Sequence, residues 1–314
     1  MSRPVVAIVG PTASGKTALS IEVAVELPGE IVSMDSRQVY RKMDIGTAKA
    51  TAAQRAAVTH HGLDLVDPDE RFNAGRFARF ARACIDEIRG RGRSPVLVGG
   101  TGFFLRALTH PIFQEPPLDA DRRRRLSEYL EAIDADELHR WVGALDPVTA
   151  EKLRAWGGRQ RLIRALELPL LTGRPLSWWH ENAPPEAPPI EPLVFVLDLP
   201  RDRLYRAIDA RVDDMVGDGL LEEVAGLLHA GYDAGAPAMN ATGYVELIPH
   251  LRGEVPLEDA LAAIRKNTRA YARRQLTWLR HQLPRGAVWL DATKPREQLV
   301  AEIVKRVRDV GSPS

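Results

Sequence analysis

The apolar positions divide the chain into short continuous runs and longer periodic stretches. Val5-Val6-Ala7-Ile8-Val9, Ile31-Val32-Ser33-Met34, Pro95-Val96-Leu97-Val98 and Val194-Phe195-Val196-Leu197 show little alternation. Such runs predict strands covered on both faces, as in a parallel sheet. Between them the period lengthens. Leu19, Val23 and Leu27 recur every fourth residue, and residues 77–88 suit a helix lying on the sheet. Leu204, Ile208, Val212, Met215 and Val216 mark the inner face of one helix predicted over roughly 201–230. Leu261, Ile264, Ala272, Leu276, Leu279 and Leu283 give a further helix its apolar face. Single strands alternating with helices predict an α/β fold.

Residues 114–193 break this alternation. They open with Gln114-Glu115-Pro116-Pro117 and close with Ala183-Pro184-Pro185-Glu186-Ala187-Pro188-Pro189-Ile190. Between these proline-rich ends only helical periods occur. The pattern predicts a helical insertion at 114–193 in a core made of 1–113 plus 194–314.

The chemistry begins at the first strand. Gly10-Pro11-Thr12-Ala13-Ser14-Gly15-Lys16-Thr17 follows it directly and leads into the helix marked by Leu19 and Val23. Strand, G-x-x-x-x-G-K-[ST] and helix together make a phosphate-binding loop. Its N–H groups converge on phosphate oxygens, Lys16 adds positive charge, and Thr17 offers a hydroxyl to Mg²⁺. Asp35-Ser36 ends the second apolar run, which places Asp35 near Thr17 at the carboxyl edge of the sheet. Asp35 is a candidate metal ligand or general base. The third run ends in Gly99-Gly100-Thr101-Gly102, where a P-loop hydrolase often carries a metal-holding Asp. A glycine loop with one hydroxyl suits close approach to a phosphate leaving group. Asp198, after Val194–Leu197, keeps a nucleotide-hydrolysing reading open.

Composition adds boundaries. The 314 residues are 45% hydrophobic and 27% charged, which excludes disordered, collagenous and disulfide-framework proteins. No apolar run is long enough to cross a membrane. A single cysteine, Cys84, and no room for a cleavable leader before Val5 lead us to expect a cytoplasmic protein. His60-His61 has no third ligand at metal spacing.

The formal net charge of +1 speaks against nucleic acid until the charges are located. From Asp209 to Gly226 six acids face one base, Arg211. From Arg265 to Arg285 there are seven bases and no acid. Lys266, Arg269, Arg273 and Arg280 fall on one helix face, with Tyr271, Gln275, Thr277 and Trp278 among them. Cations interleaved with aromatic and amide groups suit an RNA backbone and unstacked bases. A solvated face, or pairing with the acidic helix, is the competing explanation. Arg122-Arg123-Arg124-Arg125 and Arg159-Gln160-Arg161-Leu162-Ile163-Arg164 are smaller basic clusters.

These strings resemble the tRNA dimethylallyltransferase (tRNA isopentenyltransferase) family of bacterial type. The phosphate loop is followed, in family order, by Asp35-Ser36-Arg37-Gln38-Val39-Tyr40, Met43-Asp44-Ile45-Gly46-Thr47-Ala48-Lys49 and Val98-Gly99-Gly100-Thr101-Gly102. Arg164-Ala165-Leu166-Glu167, Gly243-Tyr244 and Arg273-Arg274-Gln275-Leu276-Thr277-Trp278-Leu279-Arg280 complete it. The resemblance implies a P-loop NTPase-like core with a helical insertion, and a monomeric enzyme gripping a tRNA anticodon stem-loop. The implied reaction moves a dimethylallyl group from dimethylallyl diphosphate to N6 of adenine 37, assisted by Mg²⁺. It gives Asp35 the role of base and sets Thr101 and Lys16 beside the reacting groups. Gly10 to Thr17 would hold the diphosphate, with Thr17 on the metal. Ser36, Arg37, Gln38, Arg123, Arg159 to Arg164, Lys266, Arg269, Arg273, Arg274, Gln275, Thr277, Trp278 and Arg280 would contact tRNA. Two departures stand out: Ala155-Trp156-Gly157-Gly158 replaces the usual His-Pro-Asn-Asp, and Ala207 replaces a common Arg near Tyr205. A small-molecule kinase and an RNA-binding ATPase remain the alternatives.

Overall fold

The computed structural model describes residues 3–156 and 158–311. Six strands form one sheet: β1 (Val6–Val9), β2 (Gly29–Ser33), β3 (His60–His61), β4 (Ser94–Gly99), β5 (Leu193–Asp198) and β6 (Val288–Asp291). Their order is β3-β2-β4-β1-β5-β6, and every pairing is parallel. The first unit, 1–110 with 189–314, also carries α1 (Lys16–Glu26), α2 (Ala52–Ala57), α3 (Ala74–Gly90) and α4 (Gly102–Thr109). The second unit, Pro111–Pro188, contains α5 (Ala120–Ala132), α6 (Ala135–Leu145), α7 (Pro147–Trp156), α8 (Arg159–Thr172) and α9 (Leu176–Asn182). The first unit resumes with α10 (Arg201–Gly217), α11 (Leu220–His229), α12 (Leu247–Leu251), α13 (Leu257–Gln282) and α14 (Arg296–Gly311).

The apolar runs are buried, as strands covered on both faces must be. On one side Val6, Ile8, Ile31, Val96 and Phe195 pack with Leu19 and Val23 of α1 and Leu299 and Ile303 of α14. On the other, α3 buries Phe77, Ala81, Ile85 and Ile88, and Phe77 stacks on Phe104 of α4 at 4.2 Å. A second core joins Val39, Tyr40 and Met43 to Val212, Val224, Tyr244 and Ile264. It fastens α10 to α13 beside the carboxyl edge of the sheet.

Three details differ from the sequence reading. The helix predicted over 201–230 is two helices, broken where Gly219 adopts φ 101°, a conformation that a side chain opposes. Its buried face is Leu204, Ile208 and Val212, while Met215 and Val216 are half-buried. The inner face of α13 is Ala260, Ile264, Ala272, Gln275 and Leu279; Leu261 and Leu276 are half-buried.

The second unit has its own core of Leu130, Leu138, Val142, Leu162, Ile163 and Leu166. Its limits are Pro111 and Pro188, not 114 and 193, because Ile190 already donates to Leu108 O of the first unit. Asp119 caps α5 by accepting from Arg122 N. Burial alone would raise the Asp146 carboxyl, but hydrogen bonds from Thr149 and Ser177 outweigh it and hold it low. The Ala155-Trp156-Gly157-Gly158 departure falls on Gly157 and two side chains that lie outside the described part.

Candidate active site

The phosphate loop emerges from β1 and turns into α1 with Ala13 at φ 62° and Gly15 at φ 86°. Gly15 caps α1 without any side-chain acceptor, so the first-turn N–H groups stay open to an anion. The Lys16 ammonium donates to Pro11 O at 2.5 Å. Burial, then repulsion from Arg211, pushes the Lys16 pKa down to about 7, against the pull of Asp35. Among the described residues the buried Ser14 hydroxyl has no hydrogen-bond partner.

Two cavities meet over this loop. One is lined by Lys16, Thr17, Ser20, Ser33, Gln38, Ala48 and Gly100. The other, about 340 Å³, is lined by Ser36, Arg37, Gly46, Thr242, Thr268 and Arg274. Thr12, Asp35, Thr47, Arg211 and Tyr271 line both. Asp35 stands at the carboxyl end of β2 and accepts from Arg37 N at 2.8 Å. The Thr101 hydroxyl accepts from Ser36 N at 3.2 Å. Burial, reinforced by Asp35, holds the Tyr271 hydroxyl up at about 12. Desolvation pulls the Arg211 guanidinium below its usual value while Asp35 opposes this, and a guanidinium stays charged regardless.

Asp35, Thr101, Lys16 and Thr17 are therefore gathered at the sheet edge. Arg211 and Thr47 join them without having been singled out as site residues, and so does Tyr271, which the sequence placed only within the RNA-suited stripe of α13. The one base among six acids was the available signal for Arg211. It lies on the face of α10 that carries Ile208 and Val212 into the second cavity, whereas Asp209 and Asp213 pair with Arg269 and Arg265 of α13. Arg206, next to Ala207, pairs with Asp202 at the surface.

Several sequence-assigned RNA contacts are engaged inside the protein. Gln275 is buried; its side chain accepts from Thr12 N at 2.9 Å and donates to Gly100 O at 3.1 Å. Trp278 lies over Gly102, where an added Cβ would sit 2.3 Å from the indole. The Gln38 amide donates to Thr47 O and Ala48 O, and its oxygen accepts from Ser33. Leu162 and Ile163, expected from the sequence to contact tRNA, have side chains buried in the core of the second unit. Arg159 donates to carbonyls at 130, 131 and 133. Arg123 and Arg164 share Glu115 and Glu167 in one ion network. Arg269 stacks on Tyr205, whose hydroxyl accepts from Arg273 at 2.8 Å. Lys266, Arg273, Arg274, Thr277 and Arg280, with Gln160 and Arg161 of α8, are exposed.

Asp198 lines a different surface cavity with Arg201, Trp289 and Asp291, away from Lys16. Among the described residues no three His, Cys, Asp or Glu groups could cage a metal. Thr17 and Asp35 do line one cavity, a hydroxyl and a carboxylate. That donor set fits Mg²⁺ held mainly by substrate phosphates and water. No helix among the described residues is long and apolar enough to span a membrane. His61 is bonded to Glu30 at 2.7 Å.

A parallel sheet with this loop and these cavities at its carboxyl edge defines a P-loop α/β protein. The IPP transferase profile matches residues 38–282, and the isopentenyl transferase profile matches residues 3–63. A tRNA dimethylallyltransferase of Syntrophobacter fumaroxidans is 44% identical over 307 residues, covering 98% of this chain and 89% of its own. One from Thermomicrobium roseum is 44% identical over 310 residues, with 98% and 92% covered. The crystal structure of a tRNA isopentenylpyrophosphate transferase from Bacillus halodurans aligns with TM-score 0.71 at 37% identity, covering 98% of this chain and 96% of that one. A eukaryotic dimethylallyltransferase captured acting on tRNA aligns with TM-score 0.85 at 28% identity, over 99% and 81%. The chain belongs to the IPP transferase family, among the tRNA dimethylallyltransferases.

Proposed function

We propose that the chain transfers a dimethylallyl group from dimethylallyl diphosphate to N6 of adenine 37 in the anticodon loop of tRNA. The observation that carries this is the pair of cavities joined at Asp35, Arg211 and Tyr271. One side holds a phosphate loop and the other opens toward the exposed bases of α13.

In this reading the diphosphate lies against the Gly10–Thr17 loop, with Lys16 and Arg211 countering its charge. The flipped adenine enters through the second cavity. N6 bonds to the allylic carbon as the carbon–oxygen bond breaks, and the diphosphate leaves with the electron pair. The exocyclic amine becomes cationic, and Asp35 takes its proton. Thr101 and Tyr271 supply hydroxyls beside that carboxylate. Lys16, Arg211 and the loop N–H groups stabilise charge that grows on the leaving oxygen. Thr17 would hold Mg²⁺ together with the diphosphate, and the ion would supply further charge neutralisation.

Mass analysis of nucleosides after tRNA is incubated with protein, Mg²⁺ and donor tests the reading. The expected product is adenosine 37 heavier by one dimethylallyl group. Phosphorylation of a small metabolite with no change in the tRNA would refute it.

A further inference from the structure

We propose that Glu223, together with Tyr244, is a positioning residue that fixes the wall common to the two cavities; this rests on the donor and acceptor reading of those cavities. Three consecutive amides converge on the Glu223 carboxylate. Asp44 N and Ile45 N donate to Oε2, both at 2.8 Å, and Gly46 N donates to Oε1 at 3.0 Å. The buried Tyr244 hydroxyl adds a fourth donor at 2.5 Å. Successive amides pointing inward form an anion nest, and here the chain fills it with its own carboxylate. A Cβ on Gly46 would stand 2.5 Å from the Tyr244 ring, so loop and ring meet as closely as glycine allows.

The other end of this clamp is the site. Gly46 lines the second cavity, Ala48 the first, and Thr47 both. Thr47 and Ala48 carbonyls hold the Gln38 amide, which lines the first cavity. The Lys49 ammonium closes the loop onto Asp44, Asp64 and Tyr40 O. Glu223 itself lines neither cavity; it acts through the loop. The motifs around Gly46 and Tyr244, far apart in sequence, are thereby one device.

Replacing the carboxylate by an amide turns an NH₂ toward N–H donors and releases the loop. Misplacement on the ångström scale costs about a hundredfold in rate. For Glu223→Gln we expect the single-turnover rate at saturating donor and tRNA to fall about tenfold or more. Amides 44–46 should lose hydrogen-exchange protection while stem-loop affinity stays put. Gly46→Ala, which pushes the loop off the ring from the other side, should reproduce the rate loss, and it carries the test should Glu223→Gln not fold. The inference fails if protection is lost while the rate holds, or if the rate falls only with the folded fraction. Wild-type protein that transfers nothing would instead sink the parent reading, and this inference with it.

Discussion

At the scale of single residues the site sets two opposed demands on protons. In the proposed reaction Asp35 receives one and Lys16 keeps one. Asp35→Asn leaves the Arg37 N–H with an acceptor but removes the base. Turnover should fall about 10²- to 10⁴-fold with stem-loop affinity nearly unchanged, as read by single-turnover kinetics and direct titration. A large loss of affinity would make Asp35 a structural residue.

Lys16 titrates near 7 in the free site because burial and Arg211 disfavour its charge. An unfolded chain restores the ordinary value of 10.5. The unfolded state thus binds the extra proton between the two values, so the folding penalty is full below about 7 and fades as pH rises toward 10.5. A bound diphosphate reverses the balance by favouring the ammonium. Calorimetry at about pH 8 in buffers of different ionisation enthalpy should therefore show proton uptake on binding inorganic diphosphate. The component due to Lys16 should vanish in Lys16→Met.

At the scale of elements α13 is the decisive piece. Its basic stripe suggested an outward row in which Gln275 was one more polar group. Gln275 instead points inward and joins Thr12 N to Gly100 O, so its burial follows from two backbone partners on other elements. Gln275→Leu leaves that N–H and that carbonyl unsatisfied. We expect the variant to lose about 1–3 kcal/mol per stranded group and to bind donor more weakly, measurable by denaturant titration and donor KM.

Legibility follows the same logic. β1, β2, β4 and β5 were readable because strands buried on both faces are continuously apolar. β3, two histidines, and β6, with Trp289 half in water, carry too short a pattern. The break at Gly219 was visible as Gly217-Asp218-Gly219, yet the helical period ran on through it. The phosphate loop, Asp35 and Thr101 sit at strand ends, where local sequence places them. Arg211 and Tyr271 reach the site only because α10 and α13 pack together beside the sheet edge, which no local pattern encodes.

At the scale of the molecule a net charge of +1 conceals an acidic stretch across α10 and α11 and a basic one on α13 that partly pair with each other. Arg265 and Arg269 are consumed by Asp213 and Asp209. Lys266, Arg273, Arg274 and Arg280 remain toward solvent. Removing charge at Lys266 and Arg280 should weaken tRNA binding and lower the salt slope by about one for each phosphate left without its cation. Arg269→Ala should behave differently, lowering the melting temperature because it strands Asp209. An unchanged salt slope in the Lys266 and Arg280 variants would put the RNA on another surface.

Gln275 gives α13 a second property. The helix that offers cations to solvent is also riveted to the loop that would hold the phosphates, so in the proposed complex both ligands would lean on one rod. Any shift of that rod that favours one ligand is felt by the other, and linkage makes the effect mutual. Donor and tRNA should then each alter the affinity of the other by one and the same factor, with Gln275→Leu uncoupling them. Titrating each ligand in the presence and absence of the other, with a non-reacting donor analogue, measures that factor from both directions.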